Sequence, residues 1–71
     1  MAIYEISGIK ERTDYSFALK TVYEEVNNTK IKLSYNNKNG VLTFSIEEEI
    51  NPFELNLKLA GKGLELKVLE E

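Results

Sequence analysis

The sequence predicts a small α+β domain in which two helices cover one antiparallel sheet. Three observations support this prediction: a length of 71 residues, two alternating segments joined by an Asn-Gly turn, and two segments with helical signals. A chain of this length suits one domain, which we assign to residues 1–71. Only about 60% of the surface that the unfolded chain exposes can be buried at this mass, so the core is thin.

The first half of the chain predicts a strand followed by a helix. Residues 1–7 are mostly apolar and partly β-branched, as is typical of a strand. Over residues 15–26 apolar side chains recur every three or four positions, which predicts an amphipathic helix. Thr13 or Asp14 can accept hydrogen bonds from the free amides of its first turn. We expect the helix to end at Asn27-Asn28.

A β-hairpin is predicted next. Residues 30–35 and 41–46 both alternate apolar with polar side chains, the period of a half-buried strand. Between them, Asn39-Gly40 tolerates the positive φ angles of a tight hairpin turn. We expect three core residues: Leu33 and Phe44 of this hairpin, and Val22 of the preceding helix.

The last third of the chain has two interpretations. Phe53 and the following leucines alternate with polar residues up to position 59, which would make a strand and a C-terminal hairpin after βαββ. Against this, Asn51 is a good helix N-cap, Pro52 fits the first helical position and Glu54 completes a capping box. We favour a helix over residues 52–62, which contain no β-branched residue.

With a final strand over residues 64–69, the order βαββαβ is typical of the ferredoxin-like split βαβ fold, two helices on one face of a four-stranded antiparallel sheet. The chain also resembles the heavy-metal-associated domains in layout. The matching residues are Gly8-Ile9, Pro52, Leu55 and Gly63. The two metal-binding cysteines of that family would fall near Glu11 and Asp14, so the resemblance implies the fold and no metal transfer.

Composition restricts the chemistry further. The chain has no cysteine and no histidine, so disulfides, thiolate nucleophiles and imidazole ligands are excluded, and we expect no metal and no cofactor. A net charge of −3 disfavours binding to nucleic acid or to membranes. The acidic run Glu47-Glu48-Glu49 is interpreted as a solvated loop rather than a cation site. No apolar leader opens the sequence, and we expect a cytoplasmic protein.

Apolar residues in excess of the predicted core indicate a contact surface. Helical angles place Phe17 and Lys20 on the side of the first helix away from the sheet, and leave Phe53 and Leu57 exposed on the second. We therefore expect a small non-enzymatic interaction module, of adaptor, regulatory or inhibitor type, that binds a protein partner or a second copy of itself. Two further hypotheses are a metal-free relative of metal-carrier domains and a nucleic-acid-binding sheet platform. The second is disfavoured because alternation turns Phe44 towards the core.

Overall fold

The predicted order of elements is confirmed in a computed structural model, which describes residues 2–26, 31–47 and 50–70. The elements are β1 (Ala2–Ser7), α1 (Arg12–Glu25), β2 (Ile31–Asn36), β3 (Val41–Ile46), α2 (Pro52–Ala60) and β4 (Glu65–Glu70). The stretch after Asn51 is thus a helix, and the C-terminal hairpin interpretation is wrong.

The four strands form one open antiparallel sheet in the order β2-β3-β1-β4. Strand β1 pairs with β3 so that Tyr4 lies opposite Phe44 and Ile6 opposite Leu42. These four side chains are buried in the same apolar cluster as the inward residues of both helices. Both helices therefore cover one face of the sheet, which is the ferredoxin-like arrangement expected from the sequence.

The core contains two of the three residues predicted for it. Phe44 is 1% exposed and stacks on Tyr4 at a centroid distance of 5.2 Å, while Val22 is fully buried. Leu33 is only partly buried, because it lies on β2, an edge strand of the sheet. A side chain on an edge strand has a neighbouring strand on one side only.

Helix α1 begins earlier than the sequence predicts. Its N-cap is Glu11, and the expected caps at Thr13 or Asp14 are wrong because both residues lie within the first turn. The Asp14 carboxylate instead reaches back and accepts hydrogen bonds from the amides of Lys10 and Glu11, both at 3.2 Å. The last helical residue is Glu25. The end predicted at Asn27-Asn28 lies outside the described residues.

The buried face of α1 is also rotated from the predicted one. Its buried residues are Ala18, Thr21 and Val22, and Thr21 lies one turn after Phe17, on the side expected to face away from the sheet. Thr21 is only 4% exposed, and its hydroxyl donates to the carbonyl of Phe17 at 2.8 Å. With 3.6 residues per turn, the inward face is turned by about 60° towards Phe17. A threonine bonded to its own helix can enter an apolar interface at little cost.

Helix α2 begins as predicted and ends two residues early. The Asn51 side chain accepts from the amides of Phe53 at 3.0 Å and Glu54 at 3.3 Å. Ala60 is the last helical residue instead of Lys62, whose amide bonds the carbonyl of Leu59 in a turn at 3.0 Å.

The hairpin between β2 and β3 is closed by a four-residue turn over residues 37–40, longer than a tight two-residue turn. Gly40 has the expected positive φ, +67°. A Cβ at this position would lie 2.1 Å from the carbonyl oxygen of Ile9, whose amide donates to the Gly40 carbonyl at 3.1 Å. The turn therefore docks against the β1–α1 loop, and only glycine fits there.

Candidate interaction surface

The orientation of α2 is set by contacts on three sides. Leu55 and Leu59 are fully buried against the sheet. On one flank the Asn56 side chain accepts a hydrogen bond from the amide of Leu66 in β4 at 3.1 Å. On the other flank Lys58 forms an ion pair with Glu25 of α1. The remaining side of the helix is therefore turned away from both α1 and the sheet.

That remaining side is apolar, and we call it the α2 flank, formed by Phe53, Leu57 and Ala60. Phe53 is 73% exposed and Leu57, one turn later, is 61% exposed. At about 100° per residue, Phe53 projects roughly 60° beyond Asn56 and roughly 140° from Lys58. The flank thus lies on the side of the molecule where β4 forms the edge of the sheet.

Strand β4 continues this exposed side. Because the Leu66 amide donates to Asn56 rather than to β1, alternation turns the amide of Val68 to the outer edge as well. Val68 is 40% exposed. The register between β1 and β4 shifts between Ile3 and Tyr4, which leaves Leu69 without a directly paired residue. Val68 lies on the same face of β4 as Leu66, and its exposure follows from the edge position of this strand.

Of the predicted contact residues, Phe53 and Leu57 lie together on the α2 flank, whereas Phe17 is not exposed as expected. Phe17 is partly buried against the core, and the ammonium nitrogen of Lys62 lies 5.6 Å from its ring centroid. The rotation of α1 explains the difference, because it turns Phe17 towards the end of α2. Lys20 is exposed on α1, separate from the flank.

An ion pair between Lys58 and Glu25 links α2 to α1 beside the apolar flank. The hydrogen bond from Lys58 to the Glu25 carboxylate raises the pKa of Lys58 above its ordinary value of 10.5. The lysine therefore stays protonated throughout the physiological range, and it holds α1 and α2 together without occupying the apolar flank.

A shallow depression lies on the face of the sheet that the helices leave open. It has a volume of about 210 Å³, its surface is largely apolar, and it is lined by Ile3, Lys32, Leu33, Ser34, Thr43, Phe44 and Ser45. Phe44 is buried beneath the helices, as alternation predicts, so it is not available to stack on a base.

The positions aligned with the metal-binding cysteines have structural roles. Glu11 is the N-cap of α1 and Asp14 caps its first turn. In the part of the chain that the structure describes, no three carboxylates lie close enough together to hold a metal ion. The predicted solvated loop at Glu47–Glu49 lies largely outside the described residues, since only Glu47 is placed. Within the described ranges, neither helix has the length and apolarity needed to cross a membrane.

Comparison with known protein families, with curated proteins and with solved structures returned no match. The resemblance to heavy-metal-associated domains therefore stays a prediction from the sequence.

Proposed function

We propose that the chain is a small non-enzymatic interaction module that binds protein through the α2 flank. The observation that carries this proposal is the pair Phe53 and Leu57, which expose most of their surface one helical turn apart. Leu55 and Leu59 of the same helix are fully buried, so α2 already packs on the sheet without the flank.

The energetics favour a binding role for this pair. Burying a side chain of the size of leucine or phenylalanine contributes about 1.5–3 kcal/mol. Aromatic side chains also dominate many protein interfaces, where a few central residues provide most of the affinity. Two adjacent apolar side chains, bordered by Asn56 and Glu54, match the pattern of an apolar centre with a polar rim.

The experiment is quantitative capture from an extract of the source cells, with the chain immobilised. The test variant is Phe53→Ser/Leu57→Ser, and the matched control is Tyr23→Ser, which removes an aromatic ring of 50% exposure from α1. We expect specific proteins to be retained by the parent and by Tyr23→Ser but lost with the double variant. Equal retention by all three chains would contradict a role for the flank.

A further inference from the structure

The α2 flank extends into a ridge that begins with the large side chain of Phe53 and ends at Gly61, which has no side chain. Phe53, Leu57 and Gly61 follow one another at four-residue intervals, the spacing of a ridge along one side of a helix. At 1.5 Å per residue, Phe53 and the projected position of Gly61 both lie about 6 Å from Leu57 along the axis. Leu57 therefore lies midway between the Phe53 ring and position 61, where glycine has no side chain.

Gly61 is not required by the chain itself. Its φ of −61° and ψ of −20° are ordinary right-handed helical values that any residue adopts. An added Cβ would meet only the carbonyl oxygen of Lys58 at 3.5 Å, an ordinary van der Waals distance. Gly63, two residues later, differs because its φ of +78° favours glycine. Neither conformation nor internal packing therefore explains the glycine at position 61.

We propose that the α2 flank is covered by a second copy of this chain, with the two α2 helices antiparallel about a two-fold axis at Leu57. This inference rests on the proposed function and names its partner. In this arrangement Leu57 packs on its own counterpart, and Phe53 of each copy lies over Gly61 of the other. The missing side chain at position 61 leaves room for the ring, so the ridge is complementary to itself.

The helix dipoles favour the same antiparallel arrangement. An antiparallel partner places the N-terminal end of one α2 beside the C-terminal end of the other, whereas a parallel pair brings like ends together. Lys58 takes no part in this pairing, because it already forms an ion pair with Glu25 of α1.

The exposed area indicates how strong such a dimer is. The flank and the adjoining side chain of Val68 present on the order of 400 Å² of apolar surface per copy, below the roughly 800 Å² per partner of a stable complex. We therefore expect reversible dimerisation, detectable between about 10 μM and 1 mM.

Sedimentation equilibrium over this range tests the proposal. The parent is expected to dimerise, and Gly61→Gln, which fills the gap with a helix-compatible side chain, is expected to weaken dimerisation at least tenfold. Ser16→Gln adds a similar side chain at an exposed position of α1 and should leave dimerisation unchanged.

A mixed sample of isotope-labelled and unlabelled chains gives the geometry. We expect intermolecular contacts between the Phe53 ring and the α-protons of Gly61. A parent that stays monomeric up to 1 mM would overturn the inference, as would a dimer that Gly61→Gln leaves intact. A monomeric parent that still captures proteins in a flank-dependent way would overturn the self-pairing alone, because the proposed function would then be met by a different partner.

Discussion

Single residues in this chain differ sharply in how much the fold depends on them. Phe44 is 1% exposed and stacks on Tyr4 in the core, whereas Phe53 is 73% exposed. Both are phenylalanines on regular elements, and only their position relative to the sheet separates a core role from a surface role. Mutations at the two positions should therefore have opposite consequences for stability and for binding.

Truncation of Phe44 tests the core. Replacing a buried phenylalanine with alanine costs about 3–5 kcal/mol. A domain of this size has a total free energy of unfolding of about 4–11 kcal/mol. Phe44→Ala should therefore be unfolded or nearly so in thermal denaturation, while Tyr23→Ala keeps the parent transition. A parent-like melting curve for Phe44→Ala would place the ring outside the core.

Two glycines provide a second test at this scale. In Gly40→Ala the new Cβ meets the Ile9 carbonyl and the positive φ is strained, so we expect a loss of at least about 2 kcal/mol in the free energy of unfolding. Gly61→Ala, in a helical conformation without a close contact, should be neutral or stabilising by up to about 1 kcal/mol. Denaturant titrations measure both. Equal effects of the two substitutions would refute the docking of the turn on the β1–α1 loop.

Among the elements, α2 shows what local signals in the sequence can decide. Its leucines alternate with period two, yet the cap at Asn51 and the proline at the first helical position predict a helix, and the structure confirms it. In α1 the same approach finds the helix but not its rotation. The buried face includes Thr21, whose hydroxyl donates a hydrogen bond to the Phe17 carbonyl. A search for recurring apolar residues does not identify a buried polar residue of this kind.

The link between α2 and β4 is tested at Asn56. Asn56→Ala removes the acceptor of the Leu66 amide, and we expect a loss of about 1 kcal/mol in the free energy of unfolding with faster exchange of that amide. Asn56→Asp keeps the acceptor and should retain most of the amide's protection. Unchanged exchange at Leu66 in Asn56→Ala would show that the amide has another partner.

At the scale of the whole molecule, the layout follows from element order, because short connections and antiparallel pairing leave few arrangements for βαββαβ. Burial at the sheet edges does not follow from order alone. Leu33 and Val68 occupy inward positions in the alternation, but each lies on an edge strand and keeps part of its surface in solvent. The partial burial of Phe17 likewise depends on how α1 is rotated against the end of α2.

Metal binding depends on which ligand residues the whole chain offers, and it can be tested directly. Without cysteine or histidine, and with Glu11 and Asp14 engaged at the start of α1, we expect no submicromolar binding of zinc or copper at neutral pH. Isothermal titration calorimetry with each metal gives the answer. A stoichiometric site of submicromolar affinity would require a carboxylate cage, and the Glu47–Glu49 run would be the first place to look for it.

The α2 flank is proposed to serve binding without being needed by the fold, a claim that chemical denaturation of Phe53→Ser/Leu57→Ser at low micromolar concentration tests. Substitutions at exposed positions usually change stability by no more than about 0.5 kcal/mol each. The double variant should therefore unfold within about 1 kcal/mol of the parent. A loss of 3 kcal/mol or more would contradict the claim, because it would show that these side chains are part of the core.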